Sequence, residues 1–303
     1  MPGMGPEKHV RGWRWLSRRP SHLILALLLV FVTLLAIILP SVIVVTLHKK
    51  NSMGPKAKVF VPLYVYPIPG AWDQLENVIS THPNVNFTIV VNPGNGPGPN
   101  ALPDGNYTRE IPKLAAYENV RLLGYIHTSY AARNLSLVRK DIETYAAWPA
   151  NSSNPKLAVR GIFVDETPQQ YNANHLAYLQ ELAAIVKKTP GLGPDNFIVH
   201  NPGAIPDSRY MSSADSTVVF EATYDTFQAR NRAKLFKEIP NSNRSQLCAV
   251  IHSVPDSVEG SKLRELVRQV RRVADEVFIT HLSTNYYASF GGKWDEFVRL
   301  MAE

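Results

Sequence analysis

Cysteine is nearly absent: Cys248 is the only one in 303 residues. No intrachain disulfide can form, so the fold must rest on its core, which a chain of this length can supply. Cys248 itself sits in the apolar run LCAVI at 247–251 and reads as a buried thiol, not a nucleophile. Metal-ligand spacing is missing too. There is no His-Glu-x-x-His, and the first apolar run carries Tyr64-Val65-Tyr66 where a barrel amidohydrolase would place paired histidines. A nucleotide loop is missing as well: NPGNGPGP at 92–99 lacks the Gly-Lys-Ser/Thr ending and reads as a rigid turn. Finally, the net charge of +7 is not spread over the chain. Seven of the 32 Lys/Arg and one of the 25 Asp/Glu lie in residues 1–50, so the remainder is close to neutral. Composition therefore gives no sign of the basic domain surface that a nucleic-acid partner would call for.

One long apolar run is present. Residues 23–47 read LILALLLVFVTLLAIILPSVIVVTL, long enough to cross a hydrocarbon core of roughly 30 Å. No small-residue cleavage site follows, so the run reads as an uncleaved signal anchor and not a signal peptide. The flanking charge bias is slight. Five Asn-x-Ser/Thr sequons, at Asn86, Asn106, Asn134, Asn151 and Asn243, all follow the run and favour glycosylation outside. The expected order is a basic cytoplasmic tail at 1–22, a transmembrane anchor at 23–47, a linker at 48–57 and a catalytic domain at 58–303. The protein would then be a single-pass cell-membrane protein with its catalytic domain extracellular, and release to the cell wall or medium stays open.

Beyond the linker, eight short β-branched or aromatic runs recur: 59–66, 86–91, 120–127, 159–165, 196–200, 217–223, 247–252 and 276–281. Helix-like stretches separate them at 75–80, 108–117, 135–148, 174–188, 227–238, 261–273 and 294–301, with a weak one at 205–215. Strand–helix alternation implies parallel pairing and right-handed crossovers. Eight units predict a (β/α)₈ TIM barrel, preceded here by a single transmembrane helix. An open doubly wound sheet is the competing architecture, but it should show a glycine-rich loop after its first strand. That strand leads instead into Tyr-Pro-Ile-Pro-Gly.

A barrel of this kind works at the carboxy-terminal ends of its strands. Those ends supply Tyr64, Asn92, His127, Tyr130, Asp165, Glu166, His200, Asn201, Glu221, Tyr224, His252 and Tyr286. A ring of aromatic and hydrogen-bonding groups suits a sugar, whose C–H faces stack and whose hydroxyls need partners. Strand alternation narrows the choice. Gly161, Phe163 and Asp165 share one face, opposite Ile162 and Val164. Glu221 shares a face with Val219 and Thr223, opposite Val218, Phe220 and Ala222. Both acids are therefore expected inside the barrel, two strands apart, with Glu166 at the rim. Paired carboxylates are what glycosidic cleavage needs, one to protonate the leaving oxygen and another to attack, activate water or stabilise the cation. The remaining nine strand-end residues are candidate substrate contacts. No cofactor is called for.

The motifs VVNPGNGPG (90–98), LLGYIHTSYAAR (122–133), GIFVDETP (161–168) and VHNPG (199–203) resemble the spherulin-4-like family, fungal (β/α)₈ enzymes of glycoside hydrolase family 135. The resemblance implies endo-acting hydrolysis of α-1,4-linked N-acetylgalactosamine stretches in the exopolysaccharide galactosaminogalactan. It also implies catalytic roles for Asp165, Glu166 and Glu221. Two other readings stay open at this point: a metal-dependent polysaccharide hydrolase or deacetylase, and a non-catalytic cell-wall polysaccharide-binding protein. Nothing in the sequence bears on oligomeric state.

Overall fold

The structure, a computed structural model, describes residues 27, 29–39, 53–230 and 243–303. It forms two compact units, Met1–Ser52 and Met53–Glu303. In the first, residues 27 and 29–39 are helical. Among the described residues, no helix is long and apolar enough to cross a membrane. The rest of the expected 23–47 span lies outside the described residues, as do the 1–22 tail and the first part of the linker.

The second unit is a closed barrel of eight parallel strands in sequence order. They are β1 (Lys58–Leu63), β2 (Phe87–Val91), β3 (Val120–His127), β4 (Gly161–Asp165), β5 (Phe197–His200), β6 (Ser216–Thr223), β7 (Leu247–His252) and β8 (Glu276–Ile279). Each pairs with the next, and β8 closes on β1 through Lys58–Glu276 and Val59–Val277. The expected open-sheet alternative is thereby excluded. Around the barrel run α1 (Asp73–Thr81), α2 (Gly105–Leu114), α3 (Leu135–Ser152), α4 (Ala173–Lys188), α5 (Tyr224–Ala229), α6 (Ser261–Arg271) and α7 (Trp294–Ala302). The weak candidate at 205–215 is a short 3₁₀ turn, Ser208–Ser213. Of the helix expected at 227–238, the described part ends with α5, and residues 231–242 lie outside the described residues.

Local chemistry sets these boundaries. Asp104, Asn134 and Asn172 each accept backbone N–H groups at the starts of α2, α3 and α4, satisfying donors that a helix leaves open at its first turn. The first residue of β4 is Gly161, where a Cβ would run into the Phe197 backbone of β5. In β6 the register shifts between Val218 and Phe220. This bulge inserts one residue and resets the alternation.

The segment 53–57, expected to be linker, belongs to the barrel. Met53 and Ala57 are buried in its core. The guanidinium of Arg271, itself fully buried, donates to the Pro55 carbonyl (3.0 Å) and the Leu300 carbonyl (3.1 Å). Arg244 donates to the Lys56 carbonyl (2.8 Å) and pairs with Asp275 (2.7 Å). These cations hold the incoming chain against the end of the barrel where the strands begin.

Candidate active site

Asp165 ends β4, and period-two alternation puts it on the face of Phe163, inside the barrel. Glu221 reaches the same space by a less regular route. Val218 and Glu221 both line the pocket, whereas Val219 does not. The expected pairing of Glu221 with Val219 is thus corrected: the bulge turns Val218 inward and still leaves Glu221 facing in, with Phe220 outside against Phe227.

The pocket holds about 260 Å³ and is lined by Phe60, Pro62, Tyr64, Phe163, Val250 and Tyr287 around Asp165, Glu166, Asn201 and Glu221. That volume lies near the lower end of the roughly 300–1,000 Å³ usual for ligand pockets. Asn201, one residue past β5, bridges the two acids. Its Nδ2 donates to Asp165 Oδ1 and to Glu221 Oε2, both at 2.9 Å. Each acid has further donors. Tyr125 Oη donates to Asp165 Oδ2 at 2.8 Å, and the Glu166 backbone N–H to Asp165 Oδ1 at 2.9 Å. Tyr287 Oη donates to Glu221 Oε1 at 2.6 Å.

Burial pushes the pKa of Asp165 up, against the lowering effect of these hydrogen bonds. Burial likewise raises Glu221, opposed by Tyr287 and Asn201, and the charge of Asp165 raises it further. The phenols of Tyr64, Tyr125 and Tyr287 are driven upward by burial and by the same acids. They are therefore permanent donors, never bases. Glu166 differs. Its carboxylate is more exposed, lies 3.6 Å from His127 Nδ1, and stands on a backbone with φ of +53°. A non-glycine residue in that left-handed region is uncommon and marks strain at a site.

The structure brings together Asp165, Glu166, Glu221, Asn201, Tyr64 and Tyr130 in one pocket, with His127 beside Glu166. It puts other expected contacts elsewhere. His200 pairs in register with Val164, so it shares the face opposite Asp165 and is buried on the helix side. Burial there lowers its pKa to about 4. Asn92 Oδ1 accepts from Gly96 N–H (3.0 Å) and closes its own loop. Tyr224 lines a separate cleft with Ser261, Lys262 and Glu265. His252 stacks face to face on Tyr286, with centroids 4.2 Å apart and planes 3° apart. That stack braces the loop from which Tyr287 reaches Glu221.

Two residues in direct contact with the acids were not among the sequence candidates. Tyr125 was within reach, since alternation in β3 puts it on the same face as His127. Tyr287 was not, because it follows Tyr286 in an irregular loop where no period decides which ring turns inward. Among the described residues, no group of three or more His, Cys, Asp or Glu could hold a metal ion. Of the sequons, Asn86, Asn134, Asn151 and Asn243 are exposed, whereas Asn106 is partly covered and donates through Nδ2 to Tyr66 Oη (2.9 Å).

Fold and site together define a (β/α)₈ barrel with a bridged acid pair at its carboxy-terminal mouth. The chain belongs to the Spherulation-specific family 4, whose model matches residues 58–301. It is 37% identical over 174 residues to Spherulin-4 of Physarum polycephalum, which covers 57% of this chain and 47% of that protein. The chain thus matches about half the length of that curated relative. Among solved structures, Aspergillus clavatus Sph3 in complex with GalNAc is 75% identical, with a TM-score of 0.82 over 84% of this chain and 100% of that one. An endo-β-1,4-mannanase from Thermotoga petrophila, 10% identical with a TM-score of 0.51 over 83% of this chain and 77% of that one, shares the fold alone.

Proposed function

We propose that this protein is an endo-acting glycoside hydrolase that cuts α-1,4-linked N-acetylgalactosamine stretches of galactosaminogalactan. The observation that carries the reading is the acid pair: Asp165 and Glu221, each with a pKa raised by burial, share one Asn201 donor across a sugar-sized pocket. The GalNAc complex of the 75% identical Sph3 supports the sugar class.

In this mechanism Glu221 is the general acid/base. Its raised pKa keeps a proton available for the leaving oxygen. Asp165, fixed by Tyr125, Asn201 and the Glu166 N–H, attacks the anomeric carbon or orients a participating acetamide. Glu166 at the rim contacts substrate. The facing oxygens of Asp165 and Glu221 are each 2.9 Å from the same nitrogen. Those two oxygens stand no further apart than twice that distance, which accommodates the roughly 5–5.5 Å carboxyl spacing of a retaining pair.

The same reading has the catalytic domain outside the cell, anchored through residues 23–47 and carrying glycans on exposed sequons. A protein that only bound polysaccharide would have no use for two partly buried acids held side by side, which are costly to keep. A metal-dependent hydrolase or deacetylase would lose activity with a chelator, and unchanged activity is expected. The deciding experiment incubates the full-length protein with purified galactosaminogalactan and reads the products by mass spectrometry. Shorter N-acetylgalactosamine oligomers are expected from the wild type and none from Glu221→Gln. Intact polymer with wild-type enzyme would sink the proposal.

A further inference from the structure

Beside the acid pair lies a turn the catalytic scheme does not use. Ser129, Tyr130 and Ala131 have φ of +47°, +56° and +69°, a region L-residues seldom enter even singly. Such a run persists only where its surroundings fix it. Here they do. Thr128 is fully buried. Its Oγ1 donates to the Glu166 carbonyl at 2.7 Å, and its N–H donates to the Asp165 carbonyl at 3.1 Å. The Tyr130 N–H donates to the same Glu166 carbonyl at 2.7 Å. The far end is closed by Arg133, whose N–H returns to the Thr128 carbonyl (2.9 Å) and whose guanidinium pairs with Asp141 (2.7 Å).

What this clamp presents is the ring of Tyr130. It lines the acid pocket yet is 59% exposed. Other aromatic groups at the mouth are occupied. Tyr64 packs edge-on against Tyr125 and Tyr287. Tyr66 hydrogen-bonds Asp104 and Asn106, and Tyr171 carries the Arg209 guanidinium on its face, 3.2 Å from the centroid. Tyr130 alone among them has no ring contact in the described residues. A rigid, half-wet aromatic face next to a carbohydrate cleavage site matches the apolar C–H face of a pyranose and costs little entropy to hold.

We infer that Tyr130 is an outer sugar subsite that stacks on the pyranose next to the one held between Asp165 and Glu221, and that Thr128 is its positioning residue. The inference rests on the polysaccharide reading of the pocket and extends it to the neighbouring unit of the chain.

The test uses full-length protein with purified galactosaminogalactan, measuring retention on polymer-containing gels together with kcat and KM. Tyr130→Ala is expected to weaken retention roughly tenfold and to raise KM more than it lowers kcat, while Tyr130→Phe stays near wild type. Thr128→Val should move in the direction of Tyr130→Ala, and Thr128→Ser, which keeps the hydroxyl, should restore retention. A Tyr130→Ala protein retained like wild type overturns the subsite, as does a Tyr130→Phe protein as weak as the alanine form. A Thr128→Val protein that behaves as wild type removes Thr128 from the scheme. Cleavage with retention independent of Tyr130 would leave the hydrolase reading standing without the subsite. Retention that depends on Tyr130 without cleavage would do the reverse, and neither retention nor cleavage by the wild type would overturn both.

Discussion

Asp165 and Glu221, 56 residues apart in the chain, share a single hydrogen-bond donor: Asn201 Nδ2 stands 2.9 Å from an oxygen of each. The bridge sets their spacing and ties the carboxy-terminal ends of β4 and β6 through the residue after β5. Replacing either acid by its amide should cut kcat by at least about 10³-fold, at the upper part of the range for acid/base groups. The same changes should raise the thermal midpoint, since burial opposes the charge on both acids. Scanning calorimetry beside an activity assay checks both effects. An active Asp165→Asn form with no gain in stability would contradict the scheme.

Tyr287 holds Glu221 down in pKa by donating at 2.6 Å. Tyr287→Phe removes that donor, so the pKa of Glu221 should climb further. If Glu221 is the proton donor, the alkaline limb of the kcat/KM profile moves to higher pH. If it works as an ionised nucleophile, the acid limb moves upward instead. A pH–rate profile of the variant separates the two roles.

Glu166 occupies a left-handed backbone that glycine would accept without strain. Glu166→Gly should stabilise the fold by about 1 kcal/mol, or roughly 2–4 °C in this size class, after allowing for the extra freedom glycine gives the unfolded chain. Activity should fall because the rim carboxylate is gone. A lower melting point would mean that contacts of the side chain outweigh the backbone strain.

His200 contributes to stability with a definite sign. Its folded pKa is depressed to about 4 by burial, below the ordinary histidine value of about 6.5. Between those values the unfolded chain binds the proton and the folded one does not. The His200 contribution to stability therefore falls as pH drops through this window, by on the order of 3 kcal/mol near its lower end. Denaturant titrations between pH 7 and 4.5 measure the slope, and His200→Leu should flatten it.

Much of the barrel was legible in the sequence because its signal is periodic. β3 and β7 fall at the expected residues, and the other strands agree to within one to three residues at either end. Asp165 was legible for the same reason. Glu221 was found inside although its strand neighbour was misassigned, since a bulge obeys no period. His200 was misread as a substrate contact because a polar residue at a strand end looks the same from either face. Its register partner Val164 decides the matter, and register is a property of two strands, not one. Tyr287 needed the course of an irregular loop, which is set by packing such as the His252–Tyr286 stack.

The grip of Arg271 and Arg244 on residues 55 and 56 has a practical corollary for anyone shortening the chain. A version starting at Lys58 would keep every strand and every acid. It would nevertheless strip Met53 and Ala57 from the core and deprive the buried Arg271 guanidinium of one of its two carbonyl partners. Starting at Met53 or earlier spares both, and the two lengths should differ clearly in melting temperature and in soluble yield.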